Sequence, residues 1–172
     1  TLLQEVSERV WNAVERASTA QERARAEERL RDGMHAARML VWEWELASGK
    51  ATFSENAPEL LGTEVTRIID VWKSIPEQDL ARIHRAYAEA IDGKGSYQEV
   101  VTYRRPDNGD LRWLDVRGKV CRDASGQPFS MRGVTVDVTA RMRTQIELER
   151  AEASQSFQLK LTDSLRDLSD TA

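Results

Sequence analysis

Cysteine is nearly absent from this chain of 172 residues. Cys121 stands alone, which excludes an internal disulfide and any cysteine-rich zinc cluster. Long apolar runs are missing too: Met39-Leu40-Val41-Trp42 is the longest, far short of the roughly 20 residues that cross a bilayer. Neither sign of charge dominates, with 25 Lys and Arg against 29 Asp and Glu and a net charge of −4. The basic residues are scattered rather than clustered, so no nucleic-acid surface is expected. There is no glycine-rich phosphate loop, no Ser/His/Asp arrangement, no metal-ligand cluster and no phospho-accepting histidine box. No catalytic residue is therefore expected within these residues. No secretory signal is visible, and a start at Thr1 rather than Met leads us to expect that upstream sequence was cut away. A single free cysteine fits reducing cytosol.

Glycine and proline are absent from both ends. All nine glycines and all four prolines lie between Gly33 and Gly133. Helix interiors reject Gly by about 1 kcal/mol and Pro by about 3 kcal/mol relative to Ala, whereas turns require them. The division predicts a helical segment over 1–32, a turn-rich core over 33–138 and a second helix over 139–172. In the first segment Leu3, Val6, Val10, Ala13, Ala17, Ala20 and Ala24 alternate steps of three and four, a weak coiled-coil seam that lapses at Glu27. Either a single helix packed on its own domain or a helical dimer contact satisfies that pattern.

Within the core the period changes to two. Trp42-Glu43-Trp44-Glu45-Leu46 alternates apolar residues with carboxylates, as a half-buried strand does. Ala51 to Ser54 returns as a second strand after the turn at Ser48-Gly49. Asn56 to Gly62 reads as a short helix with Asn56 or Ser54 as cap, Pro58 in its first turn and Gly62 as stop. One or two further helical turns are expected between Thr63 and Ile75. Leu80, Ile83, Tyr87, Ala90 and Ile91 mark a longer amphipathic helix that Asp92-Gly93 ends. Three strands follow, Tyr97–Arg105, Leu111–Arg122 and Phe129–Val138, punctuated by Asn108-Gly109 and by Ser125-Gly126. Two strands, then helices, then three strands predict an α+β fold, one antiparallel sheet with helices on one face.

That order, with its turn motifs, resembles a PAS domain over roughly Met34 to Ala140. The resemblance is carried by Trp42-Glu43-Trp44-Glu45 with Ser48-Gly49, by Asn56-Ala57-Pro58-Glu59-Leu60-Leu61-Gly62, and by Tyr103-Arg104-Arg105-Pro106-Asp107-Asn108-Gly109 leading to Arg112-Trp113. Asp123, Gly126, Pro128 and Gly133 to Thr139 complete it. It implies a five-stranded antiparallel sheet enclosing a small cavity, flanked here by long N- and C-terminal helices. It also implies a sensory module whose last strand feeds a signalling helix through Asp137-Val138-Thr139. The residues make physical sense at such a junction: Asp137 or Thr139 can accept a hydrogen bond from an orphan amide of the first helical turn, and a carboxylate there favours the helix dipole. In the family the Asp pairs with a basic residue on a neighbouring strand, for which Arg112 and Arg117 are the candidates. An ordinary helix cap without a signalling role is the alternative. Residues 157–170 resemble the opening helix of a GAF domain as found in sensor histidine kinases.

The resemblance implies a sensory and dimerisation module of a bacterial signalling protein such as a histidine kinase or, alternatively, a diguanylate cyclase. A homodimer through the flanking helices and the sheet, with downstream GAF and kinase domains, is the partner expectation. Trp44, Phe53, Trp72, Ile83, Tyr87, Val101, Tyr103 and Trp113 are the candidates to line a ligand pocket. The alternative is that they fill the core, leaving a passive scaffold. No cofactor is evident. Val71 to Ile75 lacks the reactive cysteine of light-sensing PAS domains, which argues against cysteinyl–flavin photochemistry. His84 lies at the edge of the long helix's apolar stripe, better placed for solvent than for an axial haem bond, and His35 reads as a surface residue.

Overall fold

A computed structural model of the chain describes residues 21–169, with the side chains of residues 94, 159 and 161–169 outside that description. The seam positions Leu3 through Ala20 fall outside it, as do most side chains of the GAF-like stretch.

Helix α1 runs over 21–36 among the described residues. It passes through Gly33 instead of stopping at Asp32. The cost of one helical glycine is small beside the burial of Met34, 8% exposed. Then come β1 (Met39–Glu45), β2 (Ala51–Phe53), the short helices α2 (Ala57–Leu61) and α3 (Ile68–Trp72), and α4 (Glu77–Glu89). A π-helical turn at Ala90–Lys94 extends α4 before β3 (Ser96–Arg104), β4 (Leu111–Arg122), β5 (Pro128–Asp137) and α5 (Thr139–Ser169). The five strands form one sheet in the order β2-β1-β5-β4-β3, every pairing antiparallel.

Local chemistry sets these boundaries. Gly62 closes α2 in the left-handed region at φ 78°, its amide donating to the Pro58 carbonyl, a conformation that glycine adopts without steric cost. Asn56 stands at the N-cap position without capping. Its side chain instead donates to the Met39 carbonyl at 2.8 Å and accepts from the Ser54 hydroxyl at 2.7 Å. Gly109, at φ 76°, turns β3 into β4. Asp123 organises the next turn by accepting the amides of Ser125 and Gln127.

The pleat gives each face of the sheet one parity. Leu40, Trp42 and Trp44 of β1, Met131 and Thr135 of β5, Leu114, Val116 and Val120 of β4, and Tyr97, Val101 and Tyr103 of β3 are buried. With Leu60, Leu61, Ile68, Ile83, Tyr87 and Ala90 of the helices they make one core. Gly118 and Gly133 face each other across β4 and β5. A Cβ at Gly118 would strike the Tyr97 ring, and one at Gly133 the Arg117 carbonyl and the Trp42 indole. The bare pair thus lets two large rings lie against the sheet. Asp79, on α4, accepts both the Thr102 amide at 2.8 Å and its hydroxyl at 2.6 Å, fastening the long helix to β3.

Candidate functional site

The residues singled out from the sequence gather at two places in the fold, the corner where α5 leaves the sheet and the interior under the helices. At the corner Asp137, the last residue of β5, sits opposite Leu114 of β4. Residues two apart on a strand share a face, so Arg112 lies on the Asp137 side and Arg117 on the other. Arg112 Nη1 donates to Asp137 Oδ2 at 3.0 Å, with the Asp137 side chain 3% exposed. Asp137 Oδ1 accepts the Thr139 amide at 2.9 Å, satisfying an orphan donor of the first helical turn. The Thr139 hydroxyl accepts the Trp113 amide at 3.0 Å. The Val138 amide donates to the Trp113 carbonyl at 2.9 Å, and Met142 already bonds back to Val138 at 2.9 Å. Helix α5 therefore begins with no slack after β5. The Asp137 amide donates in turn to the Arg38 carbonyl at 3.0 Å.

Arg117 is engaged elsewhere. Its Nη2 donates to Asp115 Oδ2 at 2.6 Å, and Gln98 Nε2 reaches Asp115 Oδ1 at 3.1 Å. The Arg117 guanidinium holds the Asp115 carboxyl below the usual carboxylate range; burial opposes this, while Gln98 and the Arg141 charge on α5 add to it. The exit helix is thus felt electrostatically from the sheet's outer face as well.

Of the eight pocket candidates, Phe53, Trp72, Ile83, Tyr87 and Val101 line an interior cavity of about 40 Å³. Trp44 is buried behind that wall, edge-on to Trp72 with ring centroids 5.4 Å apart. Tyr103 is fully buried, and its hydroxyl donates to the Leu61 carbonyl at 3.0 Å. Trp113 lies on the opposite face, since Leu114 and Val116 take the inward parity of β4. Trp42 was not among the candidates yet lines the cavity, its Nε1 donating to Thr135 Oγ1 at 3.1 Å. Its alternation with Leu40 and Trp44 was the available signal.

The interior retains unused polar atoms: Trp44 Nε1, Trp72 Nε1 and Tyr97 Oη are buried without a hydrogen-bond partner. Burial pushes the Tyr87 phenol up to about 12, with Tyr97 and Trp72 near enough to temper the rise though not aligned to bond. Burial raises Tyr97 further, and the neighbouring Tyr87 adds to that. A cavity of about 40 Å³ holds one or a few waters, whereas small-molecule sites run to roughly 300–1,000 Å³. His84 is exposed and stacks edge-on against Trp72 at 4.6 Å, outside the cavity wall. His35 pairs with Glu59 at 3.2 Å on the surface. Cys121 is half-buried on β4, opposite Ser130. Among the described residues no group of three or more His, Cys, Asp or Glu could hold a metal ion. Nor is any described helix long and apolar enough to cross a membrane.

The architecture has known counterparts. A solved structure of a sensory box histidine kinase/response regulator from Burkholderia thailandensis E264 is 25% identical, with a TM-score of 0.63 over 74% of this chain and 98% of that one. The N-terminal domain of a diguanylate cyclase with PAS/PAC sensor from Marinobacter aquaeolei is 15% identical, with a TM-score of 0.56 over 60% of this chain and 98% of that one. A PAS domain from Colwellia psychrerythraea is 12% identical, with a TM-score of 0.52 over 67% and 98%. No curated protein sequence matches. The sequence model of the PAS fold matches residues 50–135, half of the chain, and the five-stranded antiparallel sheet agrees with it: this chain belongs to the PAS fold family.

Proposed function

We propose that this chain is the sensory and dimerisation segment of a cytoplasmic bacterial signalling protein, a histidine kinase, and that α5 carries its output. In this reading 1–32 is a linker helix, 33–138 the sensory domain and 139–172 the signalling helix running toward a following GAF or kinase domain. The observation that carries it is the corner itself. Asp137 joins three pieces of the molecule, Arg112 of β4, the first amide of α5 and the Arg38 carbonyl that precedes β1. Displacement of any one changes the footing of a helix that spans roughly 46 Å at 1.5 Å per residue. Coupling of this kind needs two arrangements close in energy, since an input shifts a population only by its preference between them.

What the sheet leaves uncovered supports the dimer in this reading. Val41, Val134, Val136 and Trp113 lie on the face away from the core, Val41 being 41% exposed. On α5, Leu148 is 53% and Phe157 68% exposed. An exposed helix of this kind gains little stability without packing, so a second copy is the natural cover. The test is the full-length protein with Asp137→Ala. Regulation of its output is lost while the sheet stays folded by circular dichroism; unchanged regulation removes the relay. Light scattering across a concentration series tests the dimer, and a mass that stays monomeric removes it.

A second reading, a passive dimerisation scaffold, is favoured by one feature, the nearly filled interior. A haem or flavin sensor would need the aromatic wall to open. Absorption spectra of native protein separate these readings from a module whose input arrives mechanically through α1.

A further inference from the structure

We propose that the cleft between α1, α2 and the α5 corner is a binding site for a small carboxylate- or phosphate-bearing molecule. This cleft, about 280 Å³, is separate from the interior cavity and is walled by His35, Arg38, Asn56, Glu59, Leu60 and Arg112. Arg38 is the residue that stands out. Its φ of 48° is the positive value of a non-glycine residue, a conformation that Arg adopts at an energetic cost. It ends α1 where glycine is the common choice, so the backbone carries strain to keep a guanidinium there. That guanidinium has no partner among the described residues. Arg112 commits Nη1 to Asp137 and has further N–H donors to offer.

Two carboxylates share the corner, and both are already engaged. Glu59 sits against His35 at 3.2 Å, and Asp137 is satisfied by Arg112 and the Thr139 amide. Arg38 is left without a partner, beside a second guanidinium with donors to spare, so the cleft is lined by two guanidinium groups and one carboxylate, Glu59. Planar guanidinium forks match carboxylate and phosphate oxygens with paired hydrogen bonds. Asn56, held by Met39 and Ser54, gives the cleft a fixed polar wall. An anion seated here competes with Asp137 for Arg112 and lies beside the Arg38 carbonyl that receives the Asp137 amide. Its effect on α5 rests on the relay reading above, but its binding does not.

The test is calorimetric titration of the 172-residue chain with succinate and, separately, with inorganic phosphate, at ionic strength held constant with chloride. Saturable binding is expected, weakened at least fivefold by Arg38→Gly, which suits the positive φ and removes the guanidinium with its side chain. Arg132→Gln, which removes one charge from the opposite face of the sheet, leaves the affinity unchanged. Saturation by succinate alone identifies a carboxylate ligand, and saturation by phosphate alone identifies a phosphate. Backbone amide shifts at Arg38 and Asp137 on titration locate the anion at the corner. No saturation with either probe, equal affinity in Arg38→Gly, or an equal loss in Arg132→Gln overturns the proposal, whether or not α5 relays a signal.

Discussion

The Trp113 amide donates to the Thr139 hydroxyl at 3.0 Å, so a residue near the start of β4 holds the first residue of α5. Removing that hydroxyl leaves a half-buried amide unpaired, which costs roughly 1–3 kcal/mol. Thr139→Ala is expected to melt lower, by roughly 2–4 °C per kcal/mol for a domain of this size, and Thr139→Ser to restore most of the loss. Thermal denaturation of the two variants side by side checks it; equal melting points would mean that the bond contributes nothing.

Gly118 and Gly133 are both too crowded for a Cβ, yet the obstacles differ. At Gly118 the obstacle is the Tyr97 ring, a side chain that can swing aside. At Gly133 it includes the Arg117 backbone carbonyl, which cannot move without breaking the β4–β5 ladder. Overpacking typically costs about 1–3 kcal/mol. Gly118→Ala should fall within that range and Gly133→Ala beyond it. Urea midpoints that reverse this order contradict the packing described.

Asp79 makes the same kind of contact between helix and sheet that Thr139 makes at the exit. Burial alone would raise its carboxyl, but the Thr102 hydroxyl and amide, with Arg82, outweigh that and hold it below the usual value. A folded-state pKa below the unfolded value of about 3.9 means a contribution present above that pH and lost as pH falls through the folded value. Asp115 has the same sign. Stability measured by urea between about pH 6 and pH 2 should drop at the acid end, and Asp79→Asn should flatten the drop while lowering stability near neutrality by roughly 1–3 kcal/mol. An unchanged acid limb would assign the pH dependence to other groups.

Tyr97 Oη is buried with no partner, and an unsatisfied buried hydroxyl costs about 1–3 kcal/mol. Tyr97→Phe should therefore be neutral or stabilising in the isolated chain. A clear loss of stability would show that a bound water or small acceptor holds that oxygen.

Much of the fold was legible because its signals are local. Gly62, Gly109 and the Asp123 turn each announce themselves within a few residues, and the alternation of Trp42 and Trp44 fixes the face of β1. What was not legible depends on parity across strands. Leu111-Arg112-Trp113-Leu114 has apolar residues on both phases, so the pattern leaves Trp113 a pocket candidate although Leu114, Val116 and Val120 hold the inward side. The Asp137 partner stayed open between Arg112 and Arg117 for the same reason. Only the register that sets Leu114 opposite Asp137 selects the even-numbered residue. The passage of α1 through Gly33 was hidden by the ordinary rule that glycine ends helices. The tightness of the interior was not readable either, since eight large side chains fit a lined pocket as well as a packed one.

The glycine pair in the centre of the sheet has a consequence for receptor engineering. Because those two positions carry no side chain, the Trp42 indole and the Tyr97 ring rest directly on bare backbone, and Trp42 in turn forms part of the chamber's wall. Trimming Trp42 to a small apolar residue would vacate space that already has a flat base and unused donors above it, turning a nearly solid interior into a vessel with one altered codon.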